Sequence, residues 1–173
     1  MTVVPTGRIE HDHEGHPTLV ITREFSAPIE DVWASVTEPA RLERWIGTFT
    51  GDPASGSVMF AMTAESEDAP AEEMQIVECE PPRLLAVKAS APSGQWHLRV
   101  ALTEADGRTL LTFTQPEIDP TEAESVGPGW EFYLDRLVAA ETGGDVAAID
   151  FERDYYPAMV EHYRAELATP PGG

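Results

Sequence analysis

Residues 25–47 read FSAPIEDVWASVTEPARLERWIG, and this stretch decides the fold of the chain. Four apolar residues recur at the spacing of one helical face: Ile29, Val32, Trp33 and Val36. Proline is poorly tolerated inside a helix but well placed at its start. Pro39 therefore predicts that one short helix ends near Thr37 and that a second begins there.

The second short helix carries its own apolar stripe of Leu42, Trp45 and Ile46, and Gly47 is a natural stop after it. Two helices of this length cannot bury their apolar faces against each other alone. The rest of the chain must therefore supply a sheet or a long helix for them to pack on.

Segments on both sides of the helix pair have the composition of β-strands. Residues 8–25 predict a hairpin that turns at Glu14-Gly15, whereas residues 48–56 are interpreted as a loop. Five further strands follow with short turns and no intervening helix: 57–63, 72–79, 83–90, 95–104 and 108–115. This order is typical of an antiparallel meander rather than of a parallel sheet. We expect a curved sheet of six or seven strands.

A long amphipathic helix is predicted after the strands. Its apolar stripe consists of Trp130, Tyr133, Leu134, Leu137 and Val138. Residues 121–127 are interpreted as the start of a helix or a turn before it, Gly127-Pro128-Gly129 as the turn that opens the long helix, and Gly143-Gly144 as its end. Three charged residues are expected on its solvent side: Glu131, Asp135 and Arg136. We expect Trp130 to be mostly buried near the helix pair, close to Trp33 or Trp45.

A last helix is predicted downstream, set up by Asp154 and Pro157. Its expected apolar face consists of Tyr156, Met159, Val160, Tyr163 and Leu167. The chain is thereby divided into a disordered start, a main domain, an extension that packs on this domain and a disordered tail, at residues 1–7, 8–143, 144–168 and 169–173.

Two stretches resemble a known superfamily: REFSAPIEDVWASVTEPARLERWIG at residues 23–47 and GPGWEFYLDRL at residues 127–137. With the order of strand, helix pair, antiparallel strands and long helix, they resemble the SRPBCC (START-like) superfamily, and within it the branch related to the activator of the heat-shock chaperone ATPase. The resemblance implies an α+β helix-grip fold, in which the curved sheet wraps around a long C-terminal helix and two short helices follow the first strand. It also implies an apolar cavity between sheet and helix.

Members of that superfamily bind lipids, hormones or polyketides, and a minority catalyse cyclisation or hydrolysis. The resemblance supplies no general catalytic set, so we assign no catalytic residue here. Bacterial single-domain relatives mostly lack a demonstrated chaperone role, and chaperone association is therefore not expected of this chain.

The charge of the chain limits its partners. The 173 residues carry 31 acidic and 11 basic side chains, which gives a formal net charge of −20. Nucleic acids and anionic membranes require a basic surface, so neither is expected as a partner. The chain has no apolar run long enough to cross a bilayer and no signal-like start, and we expect a cytoplasmic protein. Cys79 has no partner for a disulfide and is interpreted as a small residue packed within a strand.

Sequence motifs for chemistry are missing. The chain has no glycine-rich phosphate loop, no GxSxG elbow and no HExxH pair, so no cofactor is expected. His11, His13 and His16 lie close together but are interpreted as exposed hairpin residues rather than metal ligands. His97 alternates with Trp96 and is expected on the outer side of the sheet, which disfavours a role as catalytic base.

Large aromatic and methionine side chains recur on the inward stripes. We predict that nine of them line a ligand cavity: Trp33, Trp45, Phe60, Met62, Met74, Trp96, Phe113, Trp130 and Tyr133. The favoured function is binding of a small apolar molecule such as a lipid, polyketide or aromatic compound. One alternative is an enzyme of the cyclase or hydrolase kind in the same cavity. The other is an interaction module, homodimeric or chaperone-associated.

Overall fold

A computed structural model describes residues 3–91 and 94–168 and has an eight-stranded antiparallel sheet, curved and open, with a long helix near its C-terminus. The strands are β1 Arg8–His11, β2 Pro17–Phe25, β3 Thr48–Thr50, β4 Ser57–Ala61, β5 Glu72–Glu80, β6 Leu84–Ala91, β7 Gly94–Ala105 and β8 Arg108–Gln115. The helices are α1 Ile29–Thr37, α2 Pro39–Leu42, α3 Ala123–Thr142, α4 Phe151–Asp154 and α5 Val160–Ala168.

The strand order across the sheet is β1-β2-β8-β7-β6-β5-β4-β3. This order confirms the meander, because every strand from β3 to β8 pairs with its neighbour along the chain. The sequence predicted six or seven strands, whereas the sheet has eight. Thr48–Thr50 was interpreted as loop, since three residues are too few to show an alternating pattern, yet they pair with β4. The helix pair follows the second strand, not the first, because the hairpin β1–β2 precedes it.

The break between the two short helices falls where the sequence predicts it. α1 ends at Thr37 and α2 has Pro39 as its first residue. The indole N–H of Trp45 donates a hydrogen bond of 2.9 Å to the backbone oxygen of Ser35, and this bond ties the two helices together. Arg136 of α3 in turn donates to the backbone oxygen of Trp45 at 2.9 Å, which anchors the helix pair to the long helix.

The start of the long helix was predicted wrongly. α3 begins at Ala123, so Gly127-Pro128-Gly129 lies inside it rather than before it. Proline lacks the donor for one helical hydrogen bond and is rare at such positions. Close packing explains Gly127, because a Cβ atom there would lie 2.7 Å from the ring of Tyr163.

The predicted solvent side of α3 was also wrong, because Arg136 is half-buried against the backbone of Trp45 and both acidic residues are covered. The Glu131 side chain has no exposed surface, and that of Asp135 is 27% exposed. Both carboxylates bind Arg23 of β2, at 3.3 Å and 2.9 Å respectively. Helical spacing alone could not reveal this burial, because the segment after α3 covers that side of the helix.

The C-terminal extension packs against α3 and the edge strand β1. Its last helix begins at Val160, not at Pro157, and its buried tyrosines are Tyr155 and Tyr163. Tyr156, predicted on the buried face, is 40% exposed. Among the described residues, no helix combines the length and apolar character that crossing a bilayer requires.

The domain division proposed from the sequence stays a prediction. Thr6 and Gly7, which it placed in a disordered start, contact Glu131 and Tyr163. The first two residues and the predicted disordered tail at 169–173 lie outside the described residues.

Candidate functional site

One face of the sheet is turned towards the long helix. The rings of Phe113 in β8 and Trp130 in α3 lie 4.5 Å apart between their centroids, which identifies this side as the inner face. Phe113 pairs with Val100 of β7, and because strand side chains alternate, Leu98 and Trp96 lie on the inner face as well. The outer face is correspondingly that of His97.

Apolar residues continue along the inner face towards β4 in registered rows. Trp96 of β7 stands opposite Ala89 of β6, and Ala89 stands opposite Met74 of β5. All three side chains are only half-buried. The inner face is therefore tightly packed near β2 and β8 but partly open near β4, β5 and β6.

At this open end lies a recess that we call the inner-face depression. Its volume is about 180 Å³, and it is bounded by the sheet and by the segment 62–71 that connects β4 to β5. Eight residues line it: Phe60, Met62, Glu65, Ala69, Pro70, Glu72, Met74 and Ala89. The lining thus combines apolar side chains with two carboxylates.

A tyrosine of the long helix positions one of these carboxylates. The hydroxyl of Tyr133 donates a hydrogen bond of 2.8 Å to Oε1 of Glu65. Burial of Tyr133, and then the neighbouring Glu65 charge, raise the pKa of its hydroxyl well above the ordinary value. Tyr133 therefore stays protonated and acts as a fixed donor that links the connecting segment to α3.

Seven of the nine predicted ligand-binding residues lie on or beside the inner face. Phe60, Met62 and Met74 line the depression directly, and Trp96 continues its row on the sheet. The other three, Phe113, Trp130 and Tyr133, form a chain of ring contacts, with 6.0 Å between the centroids of Trp130 and Tyr133.

The two tryptophans of the helix pair do not line the depression. Trp45 is buried in the core and Trp33 is half-buried against it. Trp130 is half-buried, and its ring contacts are with Phe113 and Tyr133, so its predicted place beside a tryptophan was wrong. Its indole N–H donates to Oε1 of Gln115 at 2.9 Å, and that bond directs the ring towards β8 instead.

Sequence reasoning missed the two acidic residues of the depression. Glu72 opens the acidic pair Glu72-Glu73, and such pairs normally face solvent, although its spacing from Met74 places both on the same face of β5. The register confirms this, since Glu72 stands directly opposite Phe60. Glu65 gave no signal, because it belongs to an irregular segment in which periodicity carries no information.

Three other candidates lie elsewhere. Asp12, Glu14 and His16 approach within 4.8 Å of one another at the exposed β1–β2 turn, a group that includes only one of the three hairpin histidines. His97 stands opposite Lys88 on the outer face. Cys79 is exposed rather than packed, and it lies in β5 beyond a bulge that shifts the register between Ile76 and Glu78.

Comparisons with known proteins agree with this architecture. Residues 26–141 match the family model described as "Activator of Hsp90 ATPase homolog 1-like protein". The crystal structure of CalU16 from Micromonospora echinospora is similar with a TM-score of 0.69 and 25% identity, over 95% of this chain and 97% of that one. EF2215 from Enterococcus faecalis is similar with a TM-score of 0.70 and 23% identity, over 93% and 90%.

A third similar structure is DynU16, described as a protein in the dynemicin biosynthetic locus. Its TM-score is 0.58 at 20% identity, over 75% of this chain and 49% of that one. No curated protein matches the chain.

Proposed function

This chain belongs to the family of activator of Hsp90 ATPase homolog 1-like proteins, and we propose that it binds a small hydrophobic ligand in the inner-face depression. Folds of this type commonly bind hydrophobic ligands. The proposal names the depression, rather than a central cavity, because the inner face near β2 and β8 is filled by the chain's own core.

The observation that supports the proposal is the half-burial of apolar side chains at the open end of the inner face. Met74, Trp96 and Phe60 keep exposed surface there although they face the interior side of the sheet. Exposed apolar surface that is grouped in a concave site is a mark of ligand binding. A ligand that covered these side chains would remove this surface from water.

The size of the depression limits the ligand. Pockets for drug-sized molecules usually measure about 300–1,000 Å³, whereas this one measures about 180 Å³. A molecule with one or two fused rings matches this volume better than a long lipid. Within this volume a larger ligand would fit only in part, and the rest of it would protrude into solvent.

Filling the depression tests the proposal. Met74→Trp should occupy the space, whereas Met59→Trp is a matched control, because Met59 is 41% exposed and stands opposite the outer-face residue Glu73. With 2-naphthylmethanol as probe, we expect the wild type and the control to bind and Met74→Trp to bind at least about tenfold more weakly, a loss of 1.4 kcal/mol.

Binding is measured as a thermal shift and as a change in tryptophan fluorescence. A ligand at a hundred times its Kd should stabilise the folded state by about 2.7 kcal/mol. Absence of any shift in the wild type, or equal binding by Met74→Trp, would contradict the proposal.

The C-terminal extension supports binding over the alternative of a homodimeric or chaperone-associated module. Its large apolar residues Tyr155, Met159 and Tyr163 are buried against the chain's own core. They are therefore already used within the molecule. The alternative of a cyclase or hydrolase would depend on Glu65 and Glu72, and no observation favours it over simple binding.

A further inference from the structure

We propose that the ligand of the inner-face depression is a hydrophobic cation, such as a protonated amine attached to a small aromatic ring system. This inference rests on the proposed function and adds the charge of the ligand to it. It follows from the kinds of charged groups that line the depression and from the groups that face away from it.

The charge of the lining has one sign. Glu65 and Glu72 line the depression, and none of its eight lining residues is basic. Lys88 is next to the lining residue Ala89 in sequence, but it lies on the opposite face of β6 and contributes to a separate outer groove with Glu73. An anionic ligand would therefore meet two carboxylates and no cation among the lining residues, although Arg136 lies near the hydroxyl of Tyr133 behind Glu65.

Glu72 is available to a ligand. Its carboxylate has no hydrogen-bond or ion-pair partner among the described side chains, at positions 3–89 and 95–168. It lies beside the ring of Phe60, its cross-strand partner. A cation seated between them could form an ion pair with Glu72 and a cation–π contact with Phe60.

Glu65 is held in place before a ligand arrives. The bond from Tyr133 engages Oε1 of Glu65, so the carboxylate does not have to be ordered on binding. A preorganised group contributes more to affinity, because the entropy of fixing its side chain has already been lost on folding. The Glu65 and Glu72 carboxylates, one on the segment 62–71 and one on the sheet, thus favour an ammonium group at this end of the depression.

Three probes with one ring system test the charge preference: 2-naphthylmethylamine, 2-naphthylmethanol and 2-naphthoate. We expect the amine to bind the wild type about tenfold more tightly than the alcohol, and the carboxylate about tenfold more weakly, as for one well-placed charged hydrogen bond. Binding is measured by isothermal titration at low salt, and the preference should decrease in about 0.5 M NaCl because salt screens the charges.

Two variants test which carboxylates cause the preference for the amine. Glu72→Gln and Glu65→Gln should each reduce amine binding about fivefold or more while leaving alcohol binding nearly unchanged. The amide introduced by Glu65→Gln retains an oxygen that can accept the bond from Tyr133. The matched control is Glu73→Gln, which removes one charge from the same strand as Glu72 but from its outer face, and it should keep the full preference for the amine.

The possible outcomes separate the two proposals. If none of the three probes binds, the proposed function fails together with this inference. If the alcohol binds and the amine binds no better, or the carboxylate binds best, only the inference fails. Loss of amine binding in Glu73→Gln equal to that in Glu72→Gln would also overturn the inference, because the preference would then reflect net charge alone.

Discussion

Single residues of this chain show how a buried carboxylate can be accommodated. Glu131 accepts hydrogen bonds from the backbone N–H of Thr6 at 2.9 Å, from the Tyr163 hydroxyl at 2.9 Å and from Arg23 at 3.3 Å. A buried charge is very costly unless it is paired and hydrogen-bonded, and here it is both. Thr6 and Arg23 lie near the start of the chain and Tyr163 near its end, so this one residue joins distant segments.

Glu141, near the end of α3, is a second largely buried carboxylate, and its contacts with charged partners are longer than those of Glu131. Its side chain is 9% exposed, accepts a bond from Ser35 and lies 3.5 Å from Arg44 and 3.9 Å from Arg41. Burial raises the pKa of Glu141 more than the two arginines lower it. The last turn of a helix is also unfavourable for a negative charge.

The raised pKa gives a prediction with a definite sign. The folded state holds the Glu141 proton more tightly than the unfolded state does, so this group favours folding at low pH and loses that contribution as pH rises through its folded pKa. Glu141→Gln should therefore have a higher Tm than the wild type at pH 7, with a difference that shrinks as the pH falls to about 4, near the ordinary glutamate range.

Thermal melts at several pH values check this prediction, with Glu43→Gln as the exposed control. Glu43→Gln should change Tm little at any pH. A wild type that is more stable than Glu141→Gln at pH 7, or a difference that does not change with pH, would show that the arginine pairs outweigh burial.

Residue-level prediction from the sequence agreed with the structure on the inner face of the sheet. Phe60, Met62 and Met74, predicted from strand patterns to line a cavity, border the depression, and their part in ligand binding stays a prediction. It failed for Glu131, because a charged residue off the apolar stripe of a helix normally faces water. Nothing in the local spacing indicates that Tyr163, 32 residues away, will cover it.

At the scale of elements, α3 is unusual in being covered on two sides. One side packs on the sheet through Leu134 and Leu137, and another lies under α5, where Gly127 meets the ring of Tyr163. The tight approach near Gly127 determines how closely α5 can lie against α3.

Two helical glycines in α3 predict opposite effects of the same substitution. Gly127→Ala would place a methyl group 2.7 Å from the Tyr163 ring, whereas a methyl group at Gly129 meets nothing within 4 Å. Alanine in a helix is favoured over glycine by about 0.8–1 kcal/mol, so Gly129→Ala should stabilise the protein by that order. Gly127→Ala should destabilise it by about 1–3 kcal/mol, as overpacking usually does.

Urea denaturation of the two variants measures both effects. Stabilisation by both substitutions would mean that α5 moves aside at little cost. In the background of Tyr163→Leu, Gly127→Ala should lower the free energy of unfolding much less than it does in the wild type, because the side chain that the new methyl group meets is smaller.

The order of strands and helices was predictable because apolar residues alternate along a strand but recur every three or four residues along a helix. β8 was predicted at 108–115 and was found at Arg108–Gln115. The start of α3 was missed because a Gly-Pro-Gly sequence normally interrupts a helix. β3 was missed because it is short and depends on pairing with β4 rather than on its own sequence.

For the molecule as a whole, charge is the dominant feature. A net charge of −20 on 173 residues means that the folded chain repels itself over much of its surface. The exposed ion pairs, such as Arg164 with Glu124, use basic residues that are already counted in this net charge and do not lower it. Screening by salt should therefore stabilise the folded state. In proteins whose positive and negative charges balance, it would instead weaken favourable ion pairs.

Raising NaCl from about 0.02 M to about 0.5 M shortens the screening length several-fold. We expect the free energy of unfolding to rise by about 1 kcal/mol, or Tm by about 2–4 °C for a chain of this size. Calorimetry at the two salt concentrations measures the change.

The control is a variant in which four exposed acids, Glu67, Asp68, Glu73 and Glu78, are replaced by their amides. Its net charge falls in magnitude from −20 to −16, because four negative charges are removed. Its response to salt should be smaller than that of the wild type. An unchanged response would mean that salt acts through hydration of apolar surface rather than through charge.

The shared partners of Glu131 also set the order of events during synthesis on the ribosome. Thr6 and Arg23 have left the ribosome long before Glu131 is made, but Tyr163 follows it by 32 residues. At about 5–20 residues per second, that interval lasts roughly two to six seconds. We therefore expect α3 to reach its final packing only after Tyr163 has emerged, because until then the Glu131 carboxylate lacks one donor and its cover.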